Sequence, residues 1–187
     1  MKYQGKNIAV LGAGESGAAA AVLLAEEGAL VTLLDSADPE KLRAKMEKLA
    51  EKGIKLVAGE AADNDPAAYD FGVISPGIDP ATPLVRNFVK KKIELIGELE
   101  LSYQFCSCPV IAITGTNGKT TTTELVALML NDCGVRTLAS GNIGPAFAAT
   151  VRKSPELDIM TLEVSSFQLE EIRNFRPRVA VWLNLTP

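Results

Sequence analysis

Residues 113–124 read ITGTNGKTTTTE, two glycines, a lysine and six threonines, four of them consecutive, between an apolar run and a helix-forming one. Those residue types at that spacing suit a polyphosphate. Gly115 and Gly118 permit a tight turn and close backbone approach, so that successive N–H groups and a helix N-terminus face an anion. Lys119 is placed to reach the β- and γ-phosphates of ATP, and Thr120 to offer its hydroxyl to Mg²⁺. Thr116, Asn117 and Thr121 complete the loop. The general phosphate-loop pattern asks for glycine five residues before Gly118, where this chain has Ile113, so the match is incomplete. A glycine turn leading into a threonine-rich helix is the competing structural reading. Threonines at 120–123 are poor helix formers, however, and a purely structural helix start gains nothing from them. Such a loop also needs a carboxylate for its metal at the end of a neighbouring strand, and LDIMTLEVSS supplies Glu163 there.

A hundred residues earlier, IAVLGAGESGAAAAVLLAEEGALVTLLDS (8–36) carries Gly12-x-Gly14-x-x-Gly17. Asp35 follows roughly 20 residues on, where a dinucleotide enzyme holds a ribose hydroxyl. Taken alone, the pattern describes an NAD- or flavin-dependent oxidoreductase. Taken with the second loop, it also describes an enzyme whose substrate carries a nucleotide diphosphate on the first loop while ATP sits on the second. A nucleotide-binding scaffold without chemistry is a third reading.

The elements that must position these residues are those of an α/β protein. Short apolar runs alternate with helical segments, the pattern of parallel strands joined by crossovers. Strands are predicted at 8–11, 30–34, 54–57, 71–74 and 93–96, with helices at 17–27, 39–52 and 83–92. Gly28 and Gly53 fall where helix ends need a left-handed residue. The series restarts with strands at 109–115, 135–139, 159–164 and 179–185 and a helix at 119–132. Between the series, the start of GELELSYQFCSCP (97–109) suggests a short helix and its end a linker. The expected division is a Rossmann-like domain over 1–96 and a phosphate-loop domain over 97–187. The last apolar strand stops at NLTP with no covering helix, so the second domain is expected to be cut short.

Composition narrows the function. The 187 residues are 47% hydrophobic and 22% charged, with a net charge of −4, which leaves no basic face for nucleic acid. The Lys90–Lys91–Lys92 run reads as a solvated helix end. No stretch is long and apolar enough for a membrane span or a signal peptide, and a cytoplasmic location follows as the expectation. The chain contains no histidine, which excludes Ser–His and Cys–His hydrolases. Its three cysteines make a poor zinc set and are expected as reduced thiols.

GTNGKTTT (115–122), SPGI (75–78), GELEL (97–101), GNIG (141–144) and LEVSSFQLE (162–170) together resemble the Mur ligases of peptidoglycan synthesis across the whole chain. Within them, the first glycine loop and SSFQLE are most similar to the branch that adds D-glutamate to UDP-N-acetylmuramoyl-L-alanine. The resemblance implies ATP and Mg²⁺, an acyl-phosphate intermediate and amide formation, with no nucleic-acid or membrane partner and a monomer as the expected state. It implies Lys119 and Glu163 as catalytic residues, residues 115–121 around ATP, and Thr120 and Glu163 on the metal. It assigns Gly14, Ser16, Gly17, Ser75, Pro76 and Gly77 to the UDP diphosphate, Asp35 and Ser36 to the uridine, Asn142 to the muramoyl part, and Ser165 to the UDP-sugar substrate. Some members carry arginine where this chain has Ala37, which weakens the expected grip on uracil. The family also continues past NLTP with an Asp-His motif, a carbamylated lysine and a C-terminal domain. The 187 residues are therefore expected to be an N-terminal portion, inactive as a ligase by itself.

Overall fold

Leucine- and valine-rich runs pair as parallel strands in two separate sheets, one in each of two units, the first ending at Glu98 and the second opening at Leu99. The computed structural model describes residues 1–186; Pro187, the end of NLTP, lies outside the described residues.

The first unit contains β1 (Asn7–Leu11), α1 (Glu15–Glu26), β2 (Leu30–Asp35), α2 (Pro39–Ala50), β3 (Lys55–Ala58), α3 (Glu60–Asp63), β4 (Phe71–Ile74), α4 (Pro83–Lys90) and β5 (Leu95–Gly97). All pairs are parallel and the order is β3-β2-β1-β4-β5. The chain winds outward from β1 through β2 to β3, then returns to lay β4 on the other side of β1. Its topological switch point therefore lies between the carboxyl ends of β1 and β4, where open α/β sheets bind ligands. Leu11, Leu34, Ile74, Leu84 and Phe88 pack one core there, with Tyr69 stacked on Phe88 at 5.6 Å between ring centres. Burial first, then a hydrogen bond to Asp65, pushes the Tyr69 hydroxyl up to about 12.

The second unit contains β6 (Val110–Thr114), α6 (Lys119–Asp132), β7 (Thr137–Gly141), α7 (Phe147–Thr150), a 3-10 segment (Val151–Glu156), β8 (Ile159–Glu163), α8 (Ser166–Glu170) and β9 (Val179–Trp182), and α5 (Glu98–Tyr103) leads into it. These strands are also parallel, in the order β7-β8-β6-β9. Buried Glu100 holds the segment between α8 and β9 by accepting the backbone N–H groups of Arg173, Asn174 and Phe175 and the Asn174 side-chain amide, all at 2.9–3.0 Å.

Three strands begin later than their apolar runs suggest, for one reason. Gly53, Lys92 and Gly134 have positive φ (72°, 56° and 81°). The residue after each donates its N–H back to the preceding helix: Ile54 to Leu49, Ile93 to Phe88 and Val135 to Leu130. These apolar residues complete helix ends rather than starting strands. Lys90, Lys91 and Lys92 are exposed, as a solvated helix end would be, and the Lys91 ammonium also donates to the carbonyls of Asp65 and Ala67. The short helices α3, α7 and α8 and the 3-10 segment were not expected from the sequence; each has at most six residues, too few to show a period. Among the described residues, no helix is long and apolar enough to cross a membrane. The cysteines are free, and burial together with neighbouring Cys106 pushes the Cys108 thiol up to about 11, away from the reactive thiolate.

Candidate functional site

Parallel register brings the second unit's strand ends to one level: Ile113 and Gly141 pair with Glu163, and Thr114 pairs with Trp182. A cavity of about 450 Å³ opens above them, lined among others by Gly115, Thr116, Lys119, Asn142, Ser165 and Trp182. Gly115 and Gly118 turn the loop with φ of 146° and 81°, angles that side chains rarely allow. Gly118 then caps α6 without any side-chain hydrogen bond, so the first N–H groups of the helix point out of its end unpaired within it. The Lys119 ammonium, first in that helix, donates to the Thr116 carbonyl at 3.2 Å.

The loop is held from the residues just after β9. Asn184 accepts the Asn117 N–H on its side-chain oxygen at 3.0 Å, donates to the Asn117 carbonyl at 3.0 Å, and accepts the Thr116 N–H on its main-chain oxygen at 3.2 Å. Sequence reasoning gave Asn184 no role. It lies 67 residues from its partner, and only the β6–β9 pairing brings the two together.

Glu163 ends β8 and is 2% exposed. One carboxylate oxygen accepts the Asn142 side-chain amide at 2.9 Å, while its main-chain oxygen accepts the Asn142 N–H at 2.9 Å. Gly141 makes this approach possible, since a Cβ there would stand 2.2 Å from the Glu163 carbonyl oxygen. The other carboxylate oxygen, Oε2, is buried and has no hydrogen-bond partner among the described residues. A buried carboxylate oxygen without a donor is costly, and a cation relieves that cost. A lone buried carboxylate oxygen fits a hard divalent cation that takes its remaining oxygen ligands from phosphate and water, the usual arrangement for Mg²⁺. Among the described residues no three carboxylate, cysteine or histidine side chains cluster into a protein-only metal cage. Ser165 lines the same cavity, and its hydroxyl accepts the Gln168 N–H in a capping box that starts α8.

The first glycine loop is built differently. Gly12 has φ 93°, and a Cβ on Gly17 would stand 1.9 Å from the Gly12 carbonyl oxygen and 2.5 Å from the Ser75 hydroxyl. Space requires the third glycine, so that α1 can lie against β1 and β4. Ser75 donates to the Gly12 carbonyl at 3.2 Å, tying the SPG turn at 75–77 to the loop, and Pro76 and Gly77 follow it at the rim. Asp35 accepts the Ala13 N–H at 2.6 Å on one oxygen and the Ala37 N–H at 2.8 Å on the other. It thus shapes the loop as well as standing at its mouth. Ser36 donates to Asp63 at 2.6 Å. Gly14 differs from its neighbours: its φ is −63°, and a Cβ on it would meet nothing within 4 Å. Nothing in the chain requires a glycine there, and the open space lies at the uncapped start of α1, next to Ser16.

Two domain models match the chain: Mur ligase MurD-like, N-terminal domain over residues 6–97, and Mur ligase middle domain over 113–187. The UDP-N-acetylmuramoylalanine–D-glutamate ligase of Pelotomaculum thermopropionicum is 42% identical over 182 residues, 97% of this chain and 40% of that protein. That of Geobacter metallireducens is 42% identical over 186 residues, all of this chain and 41% of that protein. The chain thus spans about two fifths of the length of these curated relatives. Among solved structures, UDP-N-acetylmuramate:L-alanyl-gamma-D-glutamyl-meso-diaminopimelate ligase from Neisseria meningitides superposes with a TM-score of 0.60 at 24% identity, covering 97% of this chain and 61% of that one. UDP-N-acetylmuramate-alanine ligase from Thermotoga maritima gives 0.59 at 18% identity, over 96% of this chain and 41% of that one. At such identities these two show the fold alone. With a Mur ligase domain matched in each unit and 42% identity along its length, the chain belongs to the Mur ligase family.

Proposed function

We propose that this chain handles the nucleotides of an ATP-dependent ligase that joins D-glutamate to UDP-N-acetylmuramoyl-L-alanine. The first glycine loop takes the UDP end of the substrate and the second takes ATP. One observation carries this reading. Lys119, the uncapped start of α6 and the unpartnered oxygen of buried Glu163 converge on the strand ends beside Asn142, as anion and cation binding at a triphosphate requires.

The chemistry follows from the substrate. A carboxylate is a poor electrophile, so its oxygen first attacks the γ-phosphorus of ATP; the acyl phosphate forms and ADP leaves. The amine of D-glutamate then adds to the acyl carbon, and collapse of the tetrahedral adduct expels phosphate, leaving an amide and releasing the amine proton. Little covalent work falls to the protein, and catalysis rests on position and charge. Lys119 and the α6 N-terminus hold the terminal phosphates, and Lys119 offsets the charge that builds on the leaving oxygen. Asn142 orients Glu163 through its amide and presents its remaining polar groups to the muramoyl part, with Ser165 at the same wall. Glu163 and Thr120 would hold Mg²⁺, which would supply neutralisation of phosphate charge. In the first unit Gly14, Ser16 and Gly17 offer the start of α1 to the diphosphate, the 75–77 turn closes the opposite rim, and Asp35 and Ser36 face the uridine. Substrates activated with UDP and ATP place the enzyme in the cytoplasm. Each nucleotide site is built within one unit of one chain, which suits a monomer.

The test is calorimetric titration of the 187-residue chain with UDP-N-acetylmuramoyl-L-alanine, MgATP and NADH in one buffer. The first two should bind with Kd of about 1 mM or tighter, with no amide formed when D-glutamate is added. NADH binding without binding of the UDP compound would give the first loop to an oxidoreductase and refute the proposal.

A further inference from the structure

We propose that Lys45 is a diphosphate-binding residue of the first glycine loop. This rests on reading that loop as the UDP site and adds a residue to it. Lys45 lies on α2, and its half-buried side chain crosses to the loop, where the ammonium donates to the Ala13 carbonyl. The N–H of Ala13 is held by Asp35, so residues from β2 and α2 grip opposite sides of the residue between Gly12 and Gly14. An ammonium has three donors, and among the described residues Ala13 is its one hydrogen-bond partner; no carboxylate forms an ion pair with it.

Three features make that position functional. Ordering a long lysine side chain for a single bond to a neutral carbonyl returns little stability. The first turn of α1 carries Glu15, so without a cation the loop would offer an anion an acidic neighbour. And the second loop has the same arrangement: Lys119 rests its ammonium on the Thr116 carbonyl of its own loop. In both loops a lysine waits on a loop carbonyl beside an uncapped helix start. In the second that lysine opens the helix itself; in the first it comes from 32 residues beyond Ala13. The open space over Gly14 is where the second phosphate of a nucleoside diphosphate would lie within its reach.

The experiment titrates the 187-residue chain and its Lys45→Met, Lys45→Gln and Lys45→Arg variants with uridine, UMP and UDP at low and high salt, with thermal midpoints confirming folding. Met and Gln should weaken UDP by about tenfold or more, weaken UMP less, leave uridine within about twofold, and flatten the salt dependence of UDP binding. Arg should restore most of the UDP affinity. Equal losses for uridine and UDP would make Lys45 a prop for the loop and overturn the inference, as would unchanged UDP binding. If the unaltered chain binds none of the three ligands, the UDP reading of the loop falls, and this inference with it.

Discussion

Gly17 lies in the first turn of α1 and Gly118 caps α6, both close to where a loop passes into its helix, and each is glycine for a different reason. Gly17 has no room for a Cβ, which would stand 1.9 Å from the Gly12 oxygen. Gly118 has room, with its nearest neighbour at 3.7 Å, but sits at φ 81°. The first loop is packed from below, tied by Ser75 and shaped by Asp35, and only its rim at Gly14 is open. The second is held from the side by Asn184 and carries its own lysine and a buried carboxylate beside it. A Gly-x-Gly-x-x-Gly pattern thus specifies how a helix packs against strands. It does not specify the ligand, whereas Lys119 and Glu163 speak to chemistry directly.

The comparison is sharpest where the glycines are filled. Gly17→Ala should cost the first unit about 3 kcal/mol, because helix, strand and the 75–77 turn must all shift. Gly118→Ala should cost the second unit about 1–2 kcal/mol, the strain of a left-handed alanine. Trp182 is the single tryptophan and lies in the second unit, so its fluorescence follows that unit while circular dichroism follows both. Equal losses in the two variants would erase the distinction between space and angle.

In the second unit, the segment between α8 and β9 depends on charge. Burial raises the Glu100 pKa, but hydrogen bonds from Arg173, Asn174 and Phe175 outweigh it, and the carboxyl lies below its ordinary 4.5. With the folded pKa lowered, this contribution is full above about 4.5 and is lost as pH falls through the folded value. Glu100→Gln should cost the second unit about 2 kcal/mol at neutral pH and remove this part of its acid sensitivity. Urea unfolding of both proteins at pH 7 and pH 3.5 checks it; an unchanged acid response in the variant would assign that response elsewhere. Asn184→Ala comes next, at about 1 kcal/mol, with weaker MgATP binding and unchanged UDP binding in titration. A matching loss at the first loop would show that the loops are not independently held.

Much of the fold was legible because its signals are local. Apolar runs marked the strands, and Gly28 and Gly53, at φ 84° and 72°, marked helix ends. Helix ends also hid the true strand starts: Ile54, Ile93 and Val135 look like strand residues, yet their N–H groups belong to caps. At the candidate site, the placement of Lys119 at a helix start and of Glu163 at a strand end was legible by type and context. Their surroundings were not, because Asn142 meets Glu163 across 21 residues, Asn184 meets Asn117 across 67 and Lys45 meets Ala13 across 32. Each pairing depends on tertiary contacts that no local pattern encodes. The α8 capping box differs: Ser165 and Gln168 do spell its signal locally, but a five-residue helix shows no period to draw the eye to it.

Gly14→Ala should have the smallest effect on stability and yet separates the loops most cleanly. At φ −63° alanine adopts the native backbone without strain, and its Cβ meets nothing within 4 Å. Removing a glycine's freedom from the unfolded chain offsets alanine's poorer fit at the N-cap of α1, so stability should stay within about 0.5 kcal/mol of the unaltered chain. If the space over Gly14 belongs to a diphosphate, however, the added methyl stands where a phosphate must approach the backbone. UDP binding should then fall by about tenfold or more while MgATP binding at the second loop stays as it was. A stable variant that binds UDP normally would mean that Gly14 serves neither the chain nor a ligand, and the first loop would be a packing device alone.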